Sequence, residues 1–201
     1  MIGPIAVIFA YLIGGIPFGF LLVRLRSGED VRRSGSGNIG ATNVLRTKGK
    51  ALGIATLVLD ILKGVLAVWL ADWLTLGSTE WTAAAAVAVM LGHVFPIFLK
   101  FKGGKAVATF IGAFLYLTPL PMLATLLVLV AIVWRTRFVS MGSILAAATF
   151  PLAVWLIEHP PLIVIGSAVA AGALVIWRHK ENLARLRAGT ENPLRFGGSR
   201  G

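Results

Sequence analysis

Long apolar runs separated by short polar stretches organise this chain of 201 residues. Five runs are plain, at roughly 2–23, 51–71, 81–99, 138–157 and 160–177. At about 1.5 Å of rise per helical residue, each crosses or nearly crosses a hydrocarbon core of about 30 Å. A sixth block, 106–134, is ambiguous: 29 residues, AVATFIGAFLYLTPLPMLATLLVLVAIVW, with Thr118-Pro119-Leu120-Pro121 at its middle. Each proline removes a backbone donor and favours extended geometry in the residue before it, so a helix reversal fits there. Each half is then short for a full crossing.

The polar positions decide between one crossing and two. Two crossings make seven spans, and the loops then alternate sides. One side receives Arg24 through Lys50, Lys100 to Lys105, Arg135, Arg137 and the tail from Arg178. Lys63 alone lies inside a span, so 18 of the 19 Lys and Arg residues collect on that side. The other side receives Asp72, Glu80, Glu158 and His159, without Lys or Arg. A single crossing would part the last basic loop from the basic tail. Because Lys and Arg concentrate in cytoplasmic loops, the pattern predicts seven transmembrane helices, N-terminus outside and C-terminus in the cytoplasm. Lipid satisfies no backbone polar group, so the spans are expected as helices in one bundle, an all-α polytopic membrane protein.

No internal repeat or separate soluble segment interrupts the pattern, so residues 1–201 read as a single integral-membrane domain. The opening MIGPIAVIFAYLIGGIPFGFLLV lacks a basic leading segment and reads as a retained first span rather than a removed signal. Gly14-Gly15, Gly112, Gly142 and the alanine run from Ala83 allow close helix approach. The terminal GGSRG is expected to be frayed.

Composition agrees with lipid as the solvent. The chain is 57% hydrophobic and 13% charged, where a soluble domain carries about a quarter charged residues. The net charge of +11 does not indicate nucleic acid, because the cations lie between apolar spans, where a membrane protein collects them anyway. Cysteine is absent, which excludes disulfides and thiolate chemistry.

Three polar patches fall on the basic side. The first, RRSGSGNIGATNVLRTKGK at 32–50, offers small-residue amides at Ser34-Gly35-Ser36-Gly37-Asn38 and Gly40-Ala41-Thr42-Asn43. Such amides can form an anion-binding concavity, and Arg46 adds a planar fork suited to phosphate. Composition alone leaves a flexible linker equally open. The second, KFKGGKAVAT at 100–109, runs into a predicted helix start, where free amides attract anions and two glycines permit close approach. It lacks the earlier glycine and the hydroxyl residue of a P-loop, since position 99 is Leu and position 106 is Ala. A basic anchor for lipid headgroups accounts for Lys100 and Lys102, but less well for Gly103 and Gly104. The third is WRHKEN at 177–182. Arg178 and Lys180 fit an ordinary stop signal, His179 and Asn182 share a face, and Glu181 can orient an Arg or hold a loop. Ser140 and Ser143 open a span on the same side, Ser140 as a cap and Ser143 deeper. Asp60 and Lys63, three apart within a span, read as a structural ion pair bordering a pocket.

In order and wording these patches resemble the bacterial membrane glycerol-3-phosphate acyltransferases that use acyl phosphate. The resemblance rests on SGSGNIGATNVLR at 34–46, GHVFPIFLKFKGGKAVAT at 92–109 and WRHKENLARL at 177–186, and runs essentially end to end. It implies transfer of a fatty acyl group from acyl phosphate to the 1-hydroxyl of glycerol-3-phosphate. Lysophosphatidic acid and phosphate are then the products, at the start of phospholipid synthesis. None of His93, His159 and His179 has Asp five residues later, so the HxxxxD signature of acyl-CoA-type enzymes is absent.

By position, the resemblance gives Ser36, Gly37, Asn38, Gly40, Thr42 and Asn43 to the acyl-phosphate headgroup. Arg46, Lys105, Ser143, His179 and Asn182 surround glycerol-3-phosphate, Gly103 and Gly104 admit its phosphate to backbone amides, and Glu181 is counted among the substrate-binding residues. It implies direct transfer, with Ser36, Asn38, Arg46, Lys105 and His179 carrying catalysis and the donor's phosphate able to take the hydroxyl proton. It implies the cytoplasmic (inner) membrane, a site on the cytoplasmic side, and a groove that leaves the acyl tail in the bilayer. Neither metal nor other cofactor is required, as no carboxylate cluster offers hard oxygen ligands. The basic face also leaves room for upstream or downstream enzymes of lipid synthesis. The competing class is a small-anion transporter, disfavoured because the outer side lacks matching cations and no paired broken helices meet at mid-membrane.

Overall fold

The computed structural model describes residues 2–194, all of whose regular structure is helical. The terminal residues 197–201, expected to be frayed, lie outside the described residues. In chain order the helices are α1 (Ile2–Gly14), α2 (Phe18–Ser27), α3 (Ala41–Lys48), α4 (Lys50–Leu74), α5 (Thr79–Val94), α6 (Val107–Leu117), α7 (Pro119–Thr136), α8 (Val139–Ile157), α9 (Leu162–Arg178) and α10 (Lys180–Arg187). Single 3₁₀ turns at Val31–Arg33 and Ile97–Leu99 complete the described elements.

Five segments are long and apolar enough to cross a membrane: Ile2–Ser27, Lys50–Leu74, Thr79–Leu99, Pro119–Thr136 and Val139–Ile157. A sixth is reached if α9 and α10 count as one span bent by 56°. The first segment breaks at Gly15-Ile16-Pro17, because Pro17 has no amide to continue the ladder. At this break the Ile16 carbonyl accepts both the Phe18 amide at 3.2 Å and Lys63 Nζ at 2.8 Å.

The ambiguous block divides at Thr118, whose amide still closes α6 on Phe114 O at 2.9 Å. Pro119 and Pro121 then occupy the first turn of α7, where a missing donor costs nothing. The 11 residues of α6 extend only about 16 Å. The helix tolerates this because protein surrounds it: Thr109, Phe110, Ile111, Gly112, Ala113 and Phe114 are buried. Its Phe110 and Phe114 rings meet Phe150 of α8 at 4.9 and 4.8 Å, forming the aromatic centre of the core.

Small residues let the helices touch. A Cβ on Gly112 would lie 1.9 Å from the Ile61 carbonyl, and one on Gly14 would lie 2.0 Å from the Val89 carbonyl. These close the α4/α6 and α1/α5 contacts, replacing a hydrophobic drive that lipid does not supply.

Long-range contacts sort the connections into two ends. At one end Arg178 reaches Gly103 and Gly104, Lys105 reaches Asn182, and the Leu194 amide reaches the Arg137 carbonyl. At the other, Tyr116 and Thr82 both bond Asp72, and the Leu120 amide bonds Glu158.

Candidate active site

The first polar loop is ordered by one buried side chain. Asn43, 2% exposed, sends its amide hydrogens toward the carbonyls of Val31, Ser34 and Asn38 at 3.3, 3.1 and 2.8 Å. Its Oδ1 accepts the Ser36 amide at 2.8 Å. Gly35 stands at φ +61°, and a Cβ there would lie 2.2 Å from Asn43 Oδ1, so the loop closes tightly around this amide. Asn38 Oδ1 accepts the Gly40 amide at 2.8 Å, setting the entry to α3. The stretch is a hydrogen-bonded loop rather than a linker.

That order narrows the cradle the sequence suggested. The amides of Ser36, Gly37 and Gly40 are committed to Asn43, Ser34 and Asn38. Those of Ala41 and Thr42 open α3 and have no intrahelical acceptor. The hydroxyls of Ser36 and Thr42 have no hydrogen-bond partner among the described residues, Ser36 being exposed and Thr42 half-buried.

Gly103 and Gly104 do a different job from the one expected. Their amides donate to Val94 O and His93 O at 3.1 and 3.0 Å, so neither is available to a phosphate. The glycines lack side chains because the turn lies against the end of α5: a Cβ on Gly103 would be 2.1 Å from His93 O. From the opposite side Arg178 donates to the Gly104 carbonyl through Nε at 3.0 Å and to Gly103 through Nη2 at 3.3 Å. Arg178, which reads in sequence as part of a stop signal, is thus a clamp on this turn. Lys100, Phe101 and Ala106 take left-handed backbone angles, φ +52°, +62° and +59°. Each costs a non-glycine residue about 1–2 kcal/mol, which the clamped surroundings sustain. Past Ala106, the amides that open α6 have no intrahelical acceptor.

Lys105 donates to Asn182 Oδ1, joining the second patch to the third. Asn182 Nδ2 donates to Glu191 Oε1 at 2.7 Å, Ser140 Oγ donates to the same oxygen at 2.8 Å, and Arg185 Nε donates to Oε2 at 2.8 Å. Next to this carboxylate, Arg46 comes within 3.5 Å of the Asn192 carbonyl. Glu191 therefore takes the loop-holding role expected of Glu181, which is exposed. Its only signal in the sequence is an isolated acid in a basic tail. Ser140 is not a cap, since Phe138 precedes α8 and Ser140 is spent on Glu191. Ser143 is buried and donates to Val139 O at 2.8 Å, leaving its oxygen able to accept.

The electrostatics favour an anion. Burial pushes Lys105 down to about 8, and nearby Arg185 and Arg178 add to that, against Glu191 and Glu181. Burial also drives His179 down to about 4, against the Val175 carbonyl and aided by Lys105. Its Nδ1 donates to Val175 O at 2.8 Å, so Nε2 carries the lone pair. Burial alone would raise Glu191, but the hydrogen bonds from Asn182, Ser140 and Arg185 outweigh it and hold the carboxyl below its ordinary value. A separate cleft of about 590 Å³ lies beside the first loop, lined by Phe20, Arg24, Gly28, Glu29, Asp30, Arg33 and Ser34.

Known proteins match this arrangement over nearly its whole length. A family profile described as glycerol-3-phosphate acyltransferase covers residues 4–189. A glycerol-3-phosphate acyltransferase of Geobacter sulfurreducens is 52% identical over 91% of this chain and 93% of its own. One from Geobacter metallireducens is 54% identical with the same coverages, 91% and 93%. Two crystal structures of PlsY, an integral membrane glycerol 3-phosphate acyltransferase, share the fold. Its glycerol 3-phosphate form superposes with a TM-score of 0.90 at 39% identity, covering 96% of each chain. Its lysophosphatidic acid form gives 0.87 at 37% identity over 96% of this chain and 95% of that one. The chain belongs to the glycerol-3-phosphate acyltransferase family and is a multi-pass integral membrane member of it.

Proposed function

We propose that this protein transfers a fatty acyl group from acyl phosphate to the 1-hydroxyl of glycerol-3-phosphate, at the inner face of a bacterial cytoplasmic membrane. The observation that carries the reading is one hydrogen-bonded cluster: Lys105, Asn182, Glu191 and Ser140, with Arg46 at the adjoining Asn192. Cations from three distant parts of the chain, Arg46, Lys105 and Arg185, meet there, as two phosphorylated substrates demand. PlsY has been solved with the corresponding substrate and product.

The reading counts the short α6 and the helix α9 as spans beside the five long segments, which makes seven and sets the orientation. Tyr116 bonds Asp72 in the last turn of α4, while Arg137 bonds the tail, which supports opposite courses for α6 and α7 between the two ends. The Lys- and Arg-rich end is then the cytoplasmic one, with the N-terminus outside.

In the reaction, the glycerol hydroxyl attacks the acyl carbon, the carbon–oxygen bond to phosphate breaks, and the hydroxyl proton leaves with the phosphate. Arg46 and Lys105 hold the acceptor's phosphate, with Ser143, His179 and Asn182 around its glycerol. Ser36, Asn38, Thr42 and the first amides of α3 hold the donor headgroup, while Gly37, Gly40 and Asn43 shape that loop. Gly103, Gly104 and Glu181 act from behind, the glycines through the turn and Glu181 through its charge near Lys105. His179, pushed down to about 4, is a weak base at neutral pH, where a base works best near 7. The donor's own phosphate therefore takes the proton. His179→Gln is expected to slow turnover by about 10-fold to 10²-fold, as loss of a polar substrate contact does. Abolished turnover with intact binding of both substrates would instead make His179 the base.

The direct test uses purified protein in detergent. Phosphate release from acyl phosphate should require glycerol-3-phosphate, and acyl-CoA should not replace the donor. Release without the acceptor, or none with it, overturns the reading.

A further inference from the structure

Beneath the turn at 103–105 lies a polar chain that the site described so far leaves unused. Asp60 and Lys63 from α4, His93 from α5 and Thr109 from α6 are 2, 3, 4 and 0% exposed. Ionisable groups at such depth persist only when partnered. Lys63 Nζ lies 2.7 Å from Asp60 Oδ1, 2.8 Å from the Ile16 carbonyl and 2.9 Å from His93 Nδ1. An ammonium has donors and no acceptor: it donates to the Ile16 carbonyl and bonds His93 Nδ1, while its contact with Asp60 Oδ1 is an ion pair without hydrogen-bond geometry. His93 Nδ1 is consequently the acceptor, and the imidazole carries its single proton on Nε2. The Thr109 hydroxyl, 3.2 Å from Nδ1, flanks the same edge of the ring.

The opposite edge bears on the site. A Cβ on Gly104 would lie 2.1 Å from His93 Nε2. The His93 carbonyl accepts the Gly104 amide at 3.0 Å, so ring and backbone of one residue both seat this glycine. Lys105 follows directly, and its ammonium reaches Asn182. An ion pair that merely ties α4 to the α1–α2 break would explain Asp60, Lys63 and Ile16. It would not explain an imidazole locked in one tautomer with its tip against a residue that has no room for a side chain.

We propose that His93 is a positioning residue for glycerol-3-phosphate: Lys63 fixes its tautomer and ring angle, and the ring sets the seat of Gly104 and hence of Lys105. The proposal rests on the assignment of Lys105 to the glycerol-3-phosphate subsite. Misplacing a substrate-binding group by about 1 Å costs as much as about 10²-fold, and the loss here falls on one substrate.

Steady-state kinetics on purified His93→Gln, His93→Ala, Gly104→Ala and the His93→Ala/Gly104→Ala double variant test it. Each single variant is expected to raise KM for glycerol-3-phosphate about tenfold or more, with KM for acyl phosphate nearly unchanged. The double variant should be no worse than His93→Ala, because the vacated ring space accepts the new methyl. A folded His93→Gln enzyme with ordinary KM overturns the proposal, as do single effects that simply multiply. Lys105→Ala is run beside them: if it also leaves this KM unchanged, the subsite assignment has failed and the proposal falls with it. Should the His93 variants not accumulate, ring-nitrogen NMR of the unaltered chain decides, with signals assigned through His159→Gln and His179→Gln. A protonated Nε2 that shifts on saturation with glycerol-3-phosphate supports the role; an Nδ1–H tautomer or an unresponsive ring ends it.

Discussion

Replacing Lys105 by Ala is expected to lower kcat/KM for glycerol-3-phosphate by on the order of 10²–10³-fold, mostly through KM. A desolvated charge pair loses about 2–5 kcal/mol when one partner is truncated, and Lys105 sits where burial already depresses its own charge. A phosphate dianion restores that charge in the complex, so the contact counts for more than an exposed ion pair would. Asn182 adds to the loss, since its Oδ1 accepts from Lys105 in the free protein and would be left without that donor. Steady-state titration of each substrate at saturating concentrations of the other reads the effect. An unchanged glycerol-3-phosphate response removes Lys105 from the site.

The pH dependence follows with a definite sign. A lysine depressed to about 8 keeps its charge below that pH and loses it above. The substrate's phosphate loses its second proton near pH 6, by analogy with other phosphate monoesters. KM for glycerol-3-phosphate should therefore be flat between about 6 and 8 and climb toward tenfold per unit beyond. Lys105→Arg keeps a charge at every accessible pH. Whatever its absolute activity, its KM should lose the rise above 8. Persistence of that rise would assign the titration to another group.

How much of this was readable beforehand depends on what each residue answers to. Span positions followed from runs of apolar side chains, and the helix break at Thr118 from prolines whose lost donors only a helix start tolerates. The same logic led toward Lys105, His179 and Asn182, because a turn of the chain places them and the basic end gathers them. Glu191 and Arg178 were opaque. Each works through carbonyls or side chains remote in sequence, Arg178 on Gly103 and Gly104 and Glu191 on Ser140 and Asn182. Nothing local distinguishes a clamping arginine from an interfacial one. The glycine pair shows the limit most clearly. A GG before a lysine suggests free amides, yet both amides close on α5, and the missing side chains answer to close packing. Asn43 is a similar case: its residue type suits a ligand, and in the structure its hydrogen bonds go to the loop.

That commitment makes Asn43→Asp the most damaging conservative change in the first loop. The side chains have nearly the same shape, so no cavity forms. What changes is polarity: Asn43 Nδ2 faces the carbonyls of Val31, Ser34 and Asn38, and an oxygen there would meet three acceptors. An ionised carboxylate would be buried against three carbonyl dipoles with only the Ser36 amide to stabilise it. An uncompensated buried charge of this kind costs about 3–5 kcal/mol, more than a surface loop can absorb without opening. Turnover is expected to fall by about 10²-fold or more, because Ser36, Asn38 and the start of α3 lose their common support. Trypsin should cut faster after Arg32 and Arg33, which flank the released loop. Acidification should partly rescue the variant, since a protonated Asp regains one donor, whereas the parent gains nothing from it. Parental activity and proteolysis in Asn43→Asp would show that the loop holds itself by other means, and a rescue on raising the pH would reverse the electrostatic argument.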